Sequence, residues 1–125
     1  MMQEKLKNSL IESFSFHDGK ILIVEKQGQD FLMRFIDGWN ENQVNDLIFI
    51  NCKEISNYDF TNANILQLEN INYENNNWVL SLAMTSKDNF IPVIITIKAE
   101  KIIARLFEND ELIKEEELSN EWIKN

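Results

Sequence analysis

The sequence predicts an α+β fold dominated by β-structure. Short apolar segments alternate with period two between turn-forming residues, which is typical of strands that bury one face. Helical spacing of apolar residues occurs only near the two ends, and no long helical segment separates consecutive strands. We therefore expect an antiparallel meander of about six or seven strands, forming a curved sheet, a sandwich or a half-barrel, with an N-terminal and a C-terminal helix. The length of 125 residues predicts a single domain, residues 1–125.

The N-terminal part predicts a helix followed by a hairpin. Leu6, Leu10 and Phe14 recur four residues apart within residues 3–14, and this spacing places them on one helical face. Residues 20–27 and 30–36 then alternate on either side of a short turn containing Gly28, so they are expected to pair as a hairpin. Residues 44–52 predict the next strand.

The second half predicts further strands joined by polar turns. Residues 54–64 read as a loop, and the alternation in residues 65–73 changes phase near Glu69 and Asn70, which predicts a bulge. The asparagine run at 75–77 predicts a turn, because asparagine tolerates left-handed backbone angles. Strands are expected at 78–85, 90–98 and 101–107, the last two around Ala99 and Glu100. Pro92 lacks an amide hydrogen, which favours an edge strand or a strand start.

The tail allows two interpretations. Residues 110–124 predict a helix, since Asn109 or Asp110 can cap it and Leu118 and Trp122 are four residues apart. The alternative is that residues 111–118 continue the meander as one more strand.

The net charge and the distribution of apolar residues limit the kinds of partner and the cellular location that we expect. The net charge of −9 repels phosphate backbones, so we expect no nucleic-acid partner, and it would steer the protein toward a basic protein. No apolar stretch reaches the ~20 residues of a bilayer crossing, and the N-terminus lacks the pattern of a secretory signal. The single cysteine, Cys52, suits a reducing compartment. We therefore expect a cytoplasmic protein without membrane association.

The sequence lacks the residue patterns that usually bind cofactors and metal ions. Gly19, Gly28 and Gly38 are isolated, whereas phosphate-binding loops need clustered glycines. One histidine and one cysteine cannot build a zinc site, and no segment matches a calcium-binding loop. We expect neither cofactor nor metal, and the sequence assigns no catalytic residue.

The pair His17 and Asp18 is the one candidate polar site. A general base needs an orienting partner and a cleft, and Asp18 could orient the imidazole. Adjacent residues in extended chain point apart, however, and Asp18-Gly19 has the composition of a turn. The favoured interpretation places His17 at the rim of the fold, bonded to backbone, and a functional histidine is the alternative.

The segment "DGWNENQVND" contains a candidate binding surface. Trp39 follows a turn and is surrounded by polar residues, and an exposed tryptophan with an acidic rim suits a binding anchor. The predicted surface consists of Asp37, Trp39, Glu41 and Asp46. The alternative is that Trp39 covers one end of the core, since tryptophan is mostly buried.

The chain contains, in order, "SFHDGKI", a hairpin, "DGW", the strand "LIFINCKEI" and a Trp-led strand before "FIPVIITIKAEKI". In this order it resembles small bacterial proteins that begin with an H-D-x-x-I hairpin. Some families of this kind are immunity proteins of polymorphic toxin systems. The resemblance spans roughly residues 12–106, and its specific residues are Phe16, His17 and Asp18. It implies a protein that neutralises a toxin, and it transfers no catalytic residues.

Three functions follow as hypotheses. The favoured one is a non-enzymatic protein-binding module, in its sharpest form an immunity or antitoxin-like protein that occludes a basic partner such as a nuclease toxin. The alternative is a carrier of a small hydrophobic ligand, with a pocket under the curved sheet. An enzyme using His17 is less favoured. A homodimer through the Pro92-containing edge or through an exposed strand face is compatible with all three. The pocket of the carrier would be lined by Phe31, Met33, Phe35 and Trp78.

Overall fold

The computed structural model describes residues 9–86 and 90–119. A 3-10 turn, Ile11–Ser13, precedes the strands, and all strand pairs in the described part are antiparallel. The strands are β1 (Gly19–Gln27), β2 (Asp30–Ile36), β3 (Gln43–Ile55), β4 (Asn64–Glu74), β5 (Asn77–Thr85), β6 (Val93–Glu108) and β7 (Glu111–Glu117).

The sheet closes on itself. Its strand order is β3-β2-β1-β4-β5-β6-β7, and β3 also pairs with β6, so six strands form a ring and β7 extends it along one edge of β6. The seam between β1 and β4 is the weakest part of the ring, because it has only two residue pairs, Gly19 with Ile65 and Lys20 with Asn64. The predicted β-dominated antiparallel fold is confirmed, in the form of a closed sheet.

The interior of the ring is filled by alternate side chains. The inward faces of the strands carry large apolar residues, whose burial supplies the main stabilising term, roughly 1.5–3 kcal/mol for each such side chain. Leu10, Ile11, Phe14 and Phe16 add to this core from the N-terminal segment, and the ring of Phe16 lies 5.2 Å from that of Phe35. Residues with 0 % exposure include Met33, Phe35, Leu47, Phe49, Leu80, Leu82, Ile95 and Ile97.

The two strands expected around Ala99 and Glu100 form one strand, β6. Its inward face changes phase at this point, from Ile97 and Ala99 to Ile102, while Glu100 and Lys101 are exposed. A matching irregularity lies opposite in β3, where the register with β6 shifts between Cys52 and Glu54. The paired irregularities let β6 bend without a break, so it pairs first with β5 and then with β7 along the same edge.

The predicted C-terminal helix is wrong within the described residues, where the alternative of one more strand is confirmed as β7. Asn109 and Asp110 do not cap a helix. Both have positive φ, 50° and 68°, and they form the two-residue turn that joins Glu108 to Glu111. Residues 111–117 pair with β6 where the helix was expected, and residues 120–124 of that expected helix lie outside the described part.

The predicted N-terminal helix is likewise not supported. In the described residues the segment forms only the 3-10 turn, after which Phe14 is extended with ψ 133°. The backbone N–H of Leu10 donates to the Glu116 carboxylate at 2.6 Å, which anchors the segment to β7. Residues 3–8 of the expected helix lie outside the described part.

Several local expectations hold. β1 and β2 form the predicted hairpin, with Gly28 at φ 62°. The register of β4 with β5 shifts between Leu68 and Asn70, as the change of phase predicts. Pro92 lies directly before the first residue of β6.

The turn between β4 and β5 generates a test of the backbone argument. Asn75 and Asn76 have φ of 51° and 65°, a conformation that costs most residues roughly 1–2 kcal/mol. Asn76→Ala is therefore expected to lower the free energy of unfolding by about 1 kcal/mol, while Asn76→Gly leaves it equal or higher. Urea unfolding measures both. Asn70→Ala, at an exposed position of β4 with negative φ, is the control, and an equal loss in that variant would contradict the explanation.

Candidate functional site

The loop between β2 and β3 is organised by the carboxylate of Asp37. Its Oδ2 accepts hydrogen bonds from the backbone N–H groups of Trp39, at 3.2 Å, and Asn40, at 3.1 Å. The loop closes through two backbone bonds: the N–H of Asp37 donates to the Gln43 carbonyl, and the N–H of Gln43 donates to the Asn40 carbonyl. Aspartate side chains bind the backbone of following residues in turns of this kind, and here the bonds hold the loop in one conformation.

The other oxygen of Asp37 is bonded to the interior. Its Oδ1 accepts from the backbone N–H of Ser15 at 2.8 Å and from Asn45 Nδ2 at 2.8 Å, with Gln43 Nε2 at 3.3 Å. Asp37 is 6 % exposed and Asn45 0 % exposed, so this is a buried polar cluster. Hydrogen bonds to a charged group each stabilise a fold by roughly 1.5–3 kcal/mol. Asp37 therefore holds the loop through buried hydrogen bonds, and its carboxylate is not part of the exposed surface around Trp39.

Gly38 lets the N-terminal segment approach the loop closely. Its N–H donates to the Ser15 carbonyl at 2.8 Å, and a Cβ at this position would lie 1.7 Å from the His17 carbonyl oxygen. No side chain fits at that separation. The segment around Ser15 and His17 and the loop around Trp39 are thus packed backbone to backbone.

Trp39 projects from this loop into solvent with 90 % of its surface exposed. It does not cover the core, which was the alternative that the sequence left open. A large aromatic side chain on a loop fixed by Asp37 is a feature that protein interfaces use as an anchor.

The acidic groups around Trp39 differ from those expected. Glu41 is exposed in the same loop, but Asp37 and Asp46 are buried. The β6–β7 turn lies against the loop, because the N–H of Asn109 donates to the Asn42 carbonyl at 3.2 Å. We define the Trp39 surface as the exposed residues that these two turns bring together: Trp39, Glu41, Glu108, Asp110 and Glu111.

The three acidic residues of the β6–β7 turn were missed by sequence reasoning. They lie far from Trp39 along the chain, and they join it only because β3 pairs with β6 through Gln43 and Glu108. Nothing in the sequence pattern marks that pairing, and the interpretation of the tail as a helix concealed the turn.

Asp46 lies on the outer face of β3 and is 1 % exposed. Both carboxylate oxygens are bonded to Arg34, at 2.6 Å to Nε and 2.9 Å to Nη2. The hydrogen bond to Asp46 raises the pKa of Arg34 above its ordinary value, against the opposing effect of burial. The guanidinium also lies 5.2 Å from the ring centroid of Phe107. The charge of Asp46 is therefore paired with Arg34 and does not contribute an exposed carboxylate to the surface around Trp39.

His17 and Asp18 lie at the rim where β1 begins. Their side chains are 74 % and 70 % exposed, and His17 Nε2 lies 3.4 Å from Asp18 Oδ2. His17 Nδ1 lies 2.7 Å from the Leu66 carbonyl oxygen, and because a carbonyl only accepts, this nitrogen carries the hydrogen. The structure places the histidine where the favoured interpretation puts it, bonded to backbone at the rim.

Comparison with known proteins identifies no relative: no family model, no curated protein and no solved structure matches this chain. Among residues 9–86 and 90–119, no helix is long and apolar enough to span a membrane.

The contact at Gly38 generates a test of the loop's packing. Gly38→Ala should cost more than 2 kcal/mol of unfolding free energy, since the new methyl group displaces the His17 backbone. Gly28→Ala is the control, because its Cβ would meet nothing within 4 Å and only its φ of 62° is strained, at roughly 1–2 kcal/mol. Denaturant unfolding compares the two variants. Equal losses would show that Gly38 is not needed for close packing.

Proposed function

We propose that the protein is a non-enzymatic protein-binding module that engages its partner through the Trp39 surface. The observation that carries the proposal is the 90 % exposure of Trp39 on a loop held by the buried Asp37 carboxylate. Tryptophan is among the residues most enriched in binding hot spots, where it fills a pocket of the partner. A loop already fixed in one conformation loses little conformational entropy when it binds.

The charge of the surface favours a basic partner. Glu41 lies in the same loop as Trp39, and the exposed carboxylates of Glu108, Asp110 and Glu111 lie at the β6–β7 turn that contacts this loop. The whole chain carries a net charge of −9. Complementary charge accelerates association and makes its rate depend on salt, while the buried aromatic group mainly lengthens the lifetime of the complex. The sharper form of the proposal, an immunity-type protein that occludes a basic toxin such as a nuclease, combines this charge with the resemblance of the N-terminal hairpin.

The alternative of a ligand carrier has no supporting observation. Its expected lining residues Phe31, Met33, Phe35 and Trp78 are 6, 0, 0 and 2 % exposed and belong to the packed core. A closed sheet of six strands is narrow enough for such side chains to fill it. The proposal also assigns no catalytic role to His17, whose Nδ1–H is engaged with the Leu66 carbonyl.

The test is binding to the protein encoded beside this protein's gene, measured by biolayer interferometry at two salt concentrations. Trp39→Ala should weaken the complex by about 30-fold or more, mainly through faster dissociation. The double variant Glu41→Lys, Glu111→Lys should slow association and reduce its dependence on salt.

Phe90→Ala is the matched control, since Phe90 is also a highly exposed aromatic residue, at 83 %, but lies before β6. Its affinity should stay within about twofold of the unaltered protein. Affinity that is indifferent to Trp39, or association that ignores both salt and charge reversal, would contradict the proposal.

A further inference from the structure

One edge of β1 lacks a strand partner over most of its length. β1 pairs with β2 along its whole hairpin but with β4 only at Gly19 and Lys20. The N–H of Ile21 then donates to the Ala63 carbonyl at 3.0 Å. From Leu22 to the end of β1 this edge has no strand partner among residues 9–86 and 90–119. An unpaired edge presents backbone donors and acceptors that a further strand can satisfy.

The free amides of this edge can be identified. Gln27 and Asp30 close the two-residue turn of the β1–β2 hairpin, so they form a hydrogen-bonded pair. Hydrogen-bonded and non-bonded pairs alternate along an antiparallel ladder. The N–H groups of Val24 and Lys26 therefore point away from β2, toward the unpaired edge. The N–H of Ile21 faces the same edge, although Ile21 and Val24 are three residues apart. The extra residue of the bulge at Leu22 accounts for this odd spacing.

A cleft of about 420 Å³ lies along this edge. The chain between β3 and β4 diverges from β1 beyond Ala63 and forms the opposite wall. The floor carries the apolar side chains of β1 at Ile21, Leu22 and Val24, of which Leu22 is 47 % exposed, and Thr61 and Asn62 add polar groups to the lining. The main lining residues are Ile21, Leu22 and Val24 from β1, with Tyr58, Asp59 and Phe60 opposite.

Tyr58 lies in the wall of the cleft opposite β1. Its ring packs edge-on against Phe60, with centroids 5.1 Å apart, and its hydroxyl is buried with no hydrogen-bond partner in the described part of the chain. A buried hydroxyl of this kind normally finds an acceptor or donor. Burial raises the pKa of Tyr58, as does the charge of Asp59.

Asp59 gives the outer wall a fixed negative charge. Its Oδ1 accepts from the backbone N–H of Thr61 at 2.9 Å, and the hydrogen bonds from Thr61 hold the pKa of Asp59 below its ordinary value. The cleft thus combines a strand edge, a partly apolar floor and an anionic wall.

We propose that this cleft binds an extended peptide segment of a partner protein, which adds a strand to β1, with apolar side chains toward Leu22 and Phe60 and lysine or arginine toward Asp59. Strand addition of this kind takes affinity from main-chain bonds and specificity from alternate side chains. The carboxylate of Asp59 favours a basic segment, whereas a second copy of this chain carries a net charge of −9. This inference does not rest on the Trp39 surface.

The probes are blocked heptapeptides in which valine, isoleucine or phenylalanine alternates with lysine, and the same peptides with glutamate in place of lysine. Titration is followed by amide hydrogen exchange and ¹⁵N NMR of the whole chain. A lysine peptide should slow exchange at Val24 and Lys26 by about tenfold or more, and the glutamate peptides should bind at least about tenfold more weakly.

Lys26→Pro removes one of the free-edge amides without removing a bond to β2, and proline is tolerated at strand edges. It should lose peptide binding by about tenfold or more, whereas the control Lys26→Ala should bind within about twofold of the unaltered protein. Should Lys26→Pro prove misfolded, Thr61→Trp, which fills the cleft from its exposed wall, must abolish the exchange protection instead.

Three results would overturn the inference. One is that none of the lysine peptides protects Val24 and Lys26. Another is that a protected complex survives both the Lys26→Pro and the Thr61→Trp change. The third is that these amides become protected with rising protein concentration alone, with dimers in sedimentation, since the occupant would then be a second copy.

Discussion

The carboxylate of Asp37 is hydrogen-bonded to three parts of the chain: the N-terminal segment, the loop between β2 and β3, and β3 itself. It accepts from Ser15 in the N-terminal segment, from Trp39 and Asn40 in the loop, and from Asn45 in β3. Burying an ionised carboxylate is costly in water-free surroundings unless its oxygens are satisfied, and here both are. The cluster therefore stabilises the fold only while all of these hydrogen bonds are made. The same bonds hold the exposed loop that carries Trp39.

The closed sheet explains why both proposed binding surfaces lie on loops and strand edges. Its interior is occupied by core side chains such as Met33 and Phe49, both 0 % exposed, which leaves the loops at the ends of the ring and its short seam. One surface lies on the loop that carries Trp39, where β2 turns into β3. The other lies at the short seam between β1 and β4, where the chain after Tyr58 separates from the edge of β1. Both proposed surfaces therefore follow from the way in which six strands close into a ring.

Strands that bury every second side chain, such as β2, were predictable because their alternation is local. For β7 the sequence left helix and strand open, since nearly all of it is exposed and its turn residues Asn109 and Asp110 equally suit a helix cap. The strand is decided by pairing with β6, a contact between segments that the local pattern does not show. Within the candidate site, the sequence left Trp39 open between an exposed anchor and a cover for the core, and the structure exposes it. The expected place of Asp37 on the binding surface was wrong, because Asp37 is buried. Its burial depends on Ser15 and Asn45, contacts that only the folded chain creates.

The most direct measurement is native-state amide hydrogen exchange in Asp37→Asn, with the exposed Asp18→Asn as control. The amide group retains one oxygen but directs N–H toward donors, so it breaks at least part of the cluster while conserving volume. The account predicts at least about tenfold faster exchange at Ser15, Trp39 and Asn40 in Asp37→Asn, and no change at these amides in Asp18→Asn. Unchanged exchange at all three positions in Asp37→Asn would contradict the claim that this carboxylate holds the loop.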